Sequence, residues 1–198
     1  MAAKPESDPA GAAAGGAPTG ASPDGVAGLR ERVGRYLRAH HTMTLATAGP
    51  PAGAPGTVAA TTPAGASAVP HAASVFYAVD DALRLVFLSD PASTHGLHIG
   101  VAAPVAVTVT EQYGDWELIQ GVQLWGTAKR VTGAAKVAAM AVYLRRFPFV
   151  RELMEQPRLA EAMRKVAVYR VEPGRVAFTD NTTGVFGREV LDLRKSST

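Results

Sequence analysis

Between Val69 and Ala128 the chain spells four strand-like segments with one short helical interruption, and this spacing constrains the fold most. Ala72–Val79 reads as a strand, Asp80-Asp81 as a tight acidic turn, and Leu83–Leu88 as the returning strand. Ser89 to His98 then reads as a helix entry, Val105–Thr110 as a third strand and Leu118–Val131 as a long fourth. Joints this short bring consecutive strands together antiparallel, whereas a doubly wound parallel sheet interleaves long helices between its strands. The predicted class is mainly β (α+β): an antiparallel barrel of six or seven strands with peripheral helices.

The flanks complete the count. Residues 1–25 are almost entirely Ala, Gly, Pro, Ser and Asp, without the branched or aromatic residues that offset ordering entropy, so a disordered tail is expected. Val26 to His40 places Val26, Leu29, Val33, Tyr36 and Leu37 on one helical face, and Thr42–Thr47 alternates as a strand. Residues 49–70 are Gly-, Pro-, Ala- and Thr-rich where a short turn would suffice, which predicts a long flexible loop insertion. Gly133 to Phe147 is the next helix, with Val137, Met140, Ala141, Leu144 and Phe147 as its apolar stripe and Pro148 as its stop. Shorter helices are expected at Val150–Glu155 and Arg158–Lys165. Strand Val166–Val171 follows, resumes beyond Pro173-Gly174 as Val176–Thr179, and Glu189–Leu193 closes the edge. Residues 26–198 make one domain.

Composition narrows the chemistry. The 198 residues carry a formal charge of +3 and no cysteine, which removes disulfides, thiolate metal sites and cysteine nucleophiles. The arginines are scattered at helical spacing beside acids, so they read as solvated helix faces rather than a nucleic-acid stripe. No run approaches the roughly 18 apolar residues of a membrane span, and the amino-terminal stretch has no apolar signal core. A cytoplasmic protein with no nucleic-acid or membrane partner is expected. No dinucleotide fingerprint, Walker loop or nucleophile elbow occurs.

Two stretches remain as candidate chemistry. At Ser89 to His98, Ser93 is a good N-cap, and Thr94 and His95 would open a helix whose orphan N–H groups suit an anion. His95 and His98 sit three apart, but no carboxylate falls at a supporting spacing, so no metal site is expected. In the run Leu118 to Gly126, Gly121 permits close backbone approach, and the amides of Gln120 and Gln123 can pair with a heteroaromatic edge.

These segments resemble a known family. Pro70 to Tyr77, Leu85 to Ser89, Ser93-Thr94-His95, Val105-Ala106-Val107 and Gly121 to Ala128 are similar to the FMN-binding split-barrel family related to pyridoxamine 5′-phosphate oxidase. Phe178 to Gly184, followed by Phe186-Gly187-Arg188, resembles a small uncharacterised bacterial branch of it. The likeness spans Leu37 to Leu193 and implies a split barrel, a homodimer, and FMN at the dimer interface. It also implies an oxidoreductase or flavin reductase acting with a small-molecule substrate or electron donor. By resemblance, Ala73, Ser74 and Val75 line the flavin through their backbone, and Leu88 and Ser89 sit near ring and ribityl chain. Ser93, Thr94 and His95 take the phosphate, and Gly121 and Gln123 reach across from the partner. The family commonly carries arginine where Ala73 stands, and arginine then lysine where Thr94 and His95 stand. That departure leaves as alternatives a deazaflavin, haem, or a barrel that has lost FMN.

Overall fold

The computed structural model describes residues 23–50, 68–156, 161, 163–184 and 187–194. Helix α1 (Pro23–Ala39) leads into β1 (Thr42–Gly49), β2 (Val69–Val79), β3 (Leu85–Ser89), α2 (Thr94–Ile99) and β4 (Ala102–Thr110). Then come β5 (Gln120–Arg130), α3 (Gly133–Arg146), α4 (Phe149–Glu155), β6 (Ala167–Asp180) and β7 (Arg188–Asp192). The strands order as β3-β2-β1-β4-β5-β6-β7, all antiparallel, and β3 also pairs with β6. Six strands therefore close a barrel and β7 hangs on its outside, as the alternating segments require.

Closure is incomplete on one side. β2 pairs with β1 from Val69 to Phe76 but meets β3 only from Tyr77 to Val79. The barrel is thus split between β3 and the Val69–Phe76 half of β2, and α2 packs near this opening against β1, β2, β4 and β5. Inside, Leu45, Tyr77, Phe87, Val107, Leu124 and Tyr169 are each at most 1% exposed, and Leu29, Val33 and Leu37 of α1 seal the core. Each such side chain contributes about 1.5–3 kcal/mol on removal from water. Outside β2, β3 and β6, a second cluster joins Ala78, Val86 and Val168 to Ala139 and Tyr143 of α3 and to Phe147 just beyond it. Burial there pushes the Tyr143 hydroxyl up to about 12.

Several expected boundaries move. Helix α1 begins at Pro23, inside the stretch expected to be a disordered tail, because Pro and Asp suit the first helical turn. Leu83 is not yet strand: its φ of 62° turns the chain while its side chain buries, and the Asp80 carboxylate accepts from the amides of Ala82 and Arg84. Trp116–Leu118 forms a short 3-10 turn capped by Asp115, so β5 starts at Gln120. The two expected strands around Pro173-Gly174 are one, because the register shifts between Trp125 and Gly126 and absorbs the extra residue as a bulge. A side chain at Gly126 would collide with the Glu172 carbonyl, so only glycine lets the two strands approach there. Helix α3 is rotated from its expected facing: it buries Ala139 and Tyr143, and leaves Val137 71% exposed. The larger aromatic rings of Tyr143 and Phe147 take the barrel side.

The rest of the expected tail, most of the 49–70 insertion, part of the helix expected at Arg158–Lys165, and Val185 lie outside the described residues. Gly49 and Val69 are register partners, so the insertion starts and ends at adjacent strand ends.

Candidate functional site

Residues paired across antiparallel strands share a face, so register alone builds the outer surface. Ser74, Thr44, Thr108 and Gln123 form one cross-strand row over β2, β1, β4 and β5. Ala72, Ala46, Ala106 and Trp125 form the next. The result is a flat face of small side chains with Phe76 and Trp125 at opposite margins, 51% and 39% exposed. Ser74 and Gln123, both expected site residues, stand on the same row three ladder steps apart, roughly 14 Å.

The other expected β2 residues point inward. Ala73 and Val75 pair with Leu45 and Met43, whose side chains fill the core. Only their backbone can serve an outer ligand. The split allows this, since among the described residues the Val69–Phe76 half of β2 has no strand pairing on the side away from β1. Gly121 pairs with Thr110 on the outer row beside Gln123.

At the β3–α2 junction the sequence places Ser89, Ser93, Thr94 and His95 together. Ser93 caps α2: its hydroxyl accepts from the Gly96 amide at 3.2 Å and donates to the Asp90 carbonyl at 2.7 Å. Ser89 Oγ lies 2.6 Å from His95 Nε2 and 3.3 Å from Ser93 Oγ. His95 is buried and stacks against His71 of β2 with centroids 5.9 Å apart, while His71 meets His98 edge-on at 6.1 Å. Burial first, then the neighbouring His71 and His98, holds His95 below the usual imidazole range, so its neutral form is favoured. His98 is tied to Thr47 and to the Pro50 carbonyl. Among the described residues no group of His and acids is arranged to hold a metal. Leu88 turns away from this junction and packs with the second cluster under α3.

A phosphate at this junction would meet neutral donors. The junction offers hydroxyls and the first amides of α2, which have no intrahelical acceptor. From Ser89 to His95 it has one acid, Asp90, and no Lys or Arg. The residues of the junction therefore fit a phosphate through neutral donors alone.

Arg188 joins this face through a side-chain contact that its position in the sequence does not announce. The Arg188 guanidinium donates to Gln123 Oε1 at 2.7 Å, which fixes that amide and turns its NH2 toward other acceptors. The only signal was the Phe186-Gly187-Arg188 motif. His71 sits within β2 rather than ahead of it, opposite Thr47. Gln120 does not join the outer face; it donates to Asp180 Oδ1 at 2.9 Å. Burial of Asp180 is outweighed by the hydrogen bonds from Thr182 and Gln120, which hold its carboxyl below the usual range.

The family model for pyridoxamine 5′-phosphate oxidase matches residues 29–180. The UPF0306 protein YhbP of Salmonella schwarzengrund is 36% identical over 125 residues, 63% of this chain and 77% of that protein. Among solved structures, the conserved hypothetical protein Rv2991 of Mycobacterium tuberculosis superposes with a TM-score of 0.56 at 18% identity, covering 77% of this chain and 84% of that one. A haem-binding protein from Mycobacterium smegmatis does so at 0.52 and 19%, covering 79% and 56%. At these identities the solved structures attest the fold. No helix among the described residues is long and apolar enough to cross a membrane.

Proposed function

This chain belongs to the pyridoxamine 5′-phosphate oxidase family, and from that premise we propose that it forms a homodimer holding FMN on the outer β2–β1–β4–β5 face, as an oxidoreductase or flavin reductase. The observation that carries this reading is the row from Ser74 to Gln123 beside the unpaired edge of β2. A flat face of small side chains flanked by Phe76 and Trp125 admits a planar ring, and a second copy would cover it and exclude water.

In this reading each residue has a defined task. The backbone of Ala73, Ser74 and Val75 meets the polar edge of the ring, and Ser89 lies along the ribityl side, where Leu88, its side chain turned under α3, offers only backbone. Gln123, oriented by Arg188, supplies an amide from the partner copy with Gly121 giving room. Ser93, Thr94 and His95 receive the phosphate through hydroxyls and amides. When bound, the flavin supplies the redox chemistry; the chain supplies orientation and hydrogen bonds.

Because the junction lacks a cation, FMN should bind saturably but weakly. Quenching of FMN fluorescence on titration with the full chain reads this. One new charge-assisted contact contributes about 1.5–3 kcal/mol, so Thr94→Arg should tighten FMN by tenfold or more. No quenching with either protein would remove FMN from the account.

A second reading is favoured by the Ser89–His95 hydrogen bond, which engages the expected phosphate donors with each other. It keeps the barrel and replaces FMN by a deazaflavin or haem, as the haem-binding relative in fold suggests. A visible spectrum of the purified protein with added hemin distinguishes it: a shifted haem band without flavin quenching selects this reading.

A further inference from the structure

The rotation of α3 leaves Val137 exposed and Met140 and Leu144 only partly buried against the second cluster. Together with Met154 of α4 and Met163, these three side chains line a half-open cavity of about 790 Å³. That size lies within the roughly 300–1,000 Å³ of small-molecule sites. Three of the chain's five methionines line it. Their unbranched, polarizable side chains adapt to flexible apolar guests. Val137 and Met154 are 71% and 47% exposed, so apolar surface here faces solvent.

The charge at this cavity has one sign. Lys136, Arg151 and Arg164 line it, and no carboxylate does among the described residues. The ion pairs of the described residues lie elsewhere, at Arg32, His40, Arg84, Lys129, Arg170 and Arg194. An apolar trough with uncompensated cations selects a ligand with an apolar body and an anionic end.

We propose that this cavity binds an amphipathic carboxylate of the fatty-acid type. The alkyl chain lies along Val137, Met140, Leu144, Met154 and Met163, and the carboxylate meets Arg151, with Lys136 and Arg164 adding field. Arginine suits the head group because its planar fork matches a carboxylate in two parallel hydrogen bonds. The site is separate from the outer β2–β1–β4–β5 face, since none of its described lining residues belongs to those strands.

The test is calorimetric titration of the full chain with dodecanoate below its micelle concentration, beside dodecanol and dodecyltrimethylammonium. Dodecanoate should bind one per chain, at least tenfold tighter than the alcohol, with the cation not bound. Arg151→Gln combined with Arg164→Gln should cost dodecanoate tenfold and leave dodecanol unchanged. Val137→Asp, at an exposed position, should abolish binding while circular dichroism and FMN quenching stay as in the parent. Equal binding of alcohol and carboxylate, or indifference to the double substitution, would overturn the proposal. So would binding to anionic phospholipid vesicles without uptake of the free acid, which would mark a membrane-facing surface instead.

Discussion

Strands β1, β4 and β5 each have two faces, and the two differ in what they do. On the inner face Leu45, Val107 and Leu124 are sealed at 0–1% exposure within one apolar cluster of mostly branched and aromatic side chains. On the outer face of the same strands stand Thr44, Ala46, Ala106, Thr108 and Gln123, small or polar and open to solvent or a partner. One backbone therefore carries stability on one side and, in the function proposed above, recognition on the other. The period of two in a strand makes such a division possible.

The largest effect should come from the inner face. Leu124→Ala leaves a cavity in a closed barrel and should cost about 2–5 kcal/mol, read as a lower urea midpoint. A change below about 1 kcal/mol would mean the interior can collapse, and the two faces would differ less than described. Gly126→Ala comes next. Its new methyl group meets the Glu172 carbonyl at the bulge, and the repacking should cost about 1–3 kcal/mol in the same assay.

The third effect depends on pH and probes the end of the barrel where the faces meet. Native His95 is held below the usual imidazole range, so below about pH 6.5 the unfolded chain binds more protons than the folded one. Stability should be full above that pH and fall as pH drops through the lower native value. His95→Gln should flatten this decline. Glu172 and Asp180 are also held low, so the stability they contribute is lost only further toward acid. An unchanged slope between about pH 7 and about pH 5 in His95→Gln would assign the decline to other groups.

The smallest effect on folding should come from the outer face. Thr108→Arg puts a charge at the centre of the row and should change the fold's stability by no more than about 0.5 kcal/mol. Size-exclusion with light scattering should nevertheless report a monomer. A large loss of folding stability would show that this face belongs to the core after all.

Some of this was legible in the residues. The strands, the Ser93 cap and the Pro148 stop follow local rules, and local rules survive in the folded chain. The facing of α3 was not, because its apolar residues make overlapping stripes and only packing against Ala78, Val86 and Val168 decides between them. The continuity of β6 through Pro173-Gly174 depends on Gly126, a partner distant in sequence. The stacking of His71 on His95 and the hydrogen bond from Arg188 to Gln123 are likewise long-range. Half of the candidate site is therefore local, at Ser89 to His95. The other half exists only once the register places Ser74 and Gln123 on one row.

Native mass spectrometry of the full chain with added FMN reaches the central claim most directly. The account expects two chains carrying two FMN, with the flavin mass lost and the dimer kept in Gln123→Ala. A monomer, or a dimer that takes up no FMN at any concentration, would contradict it.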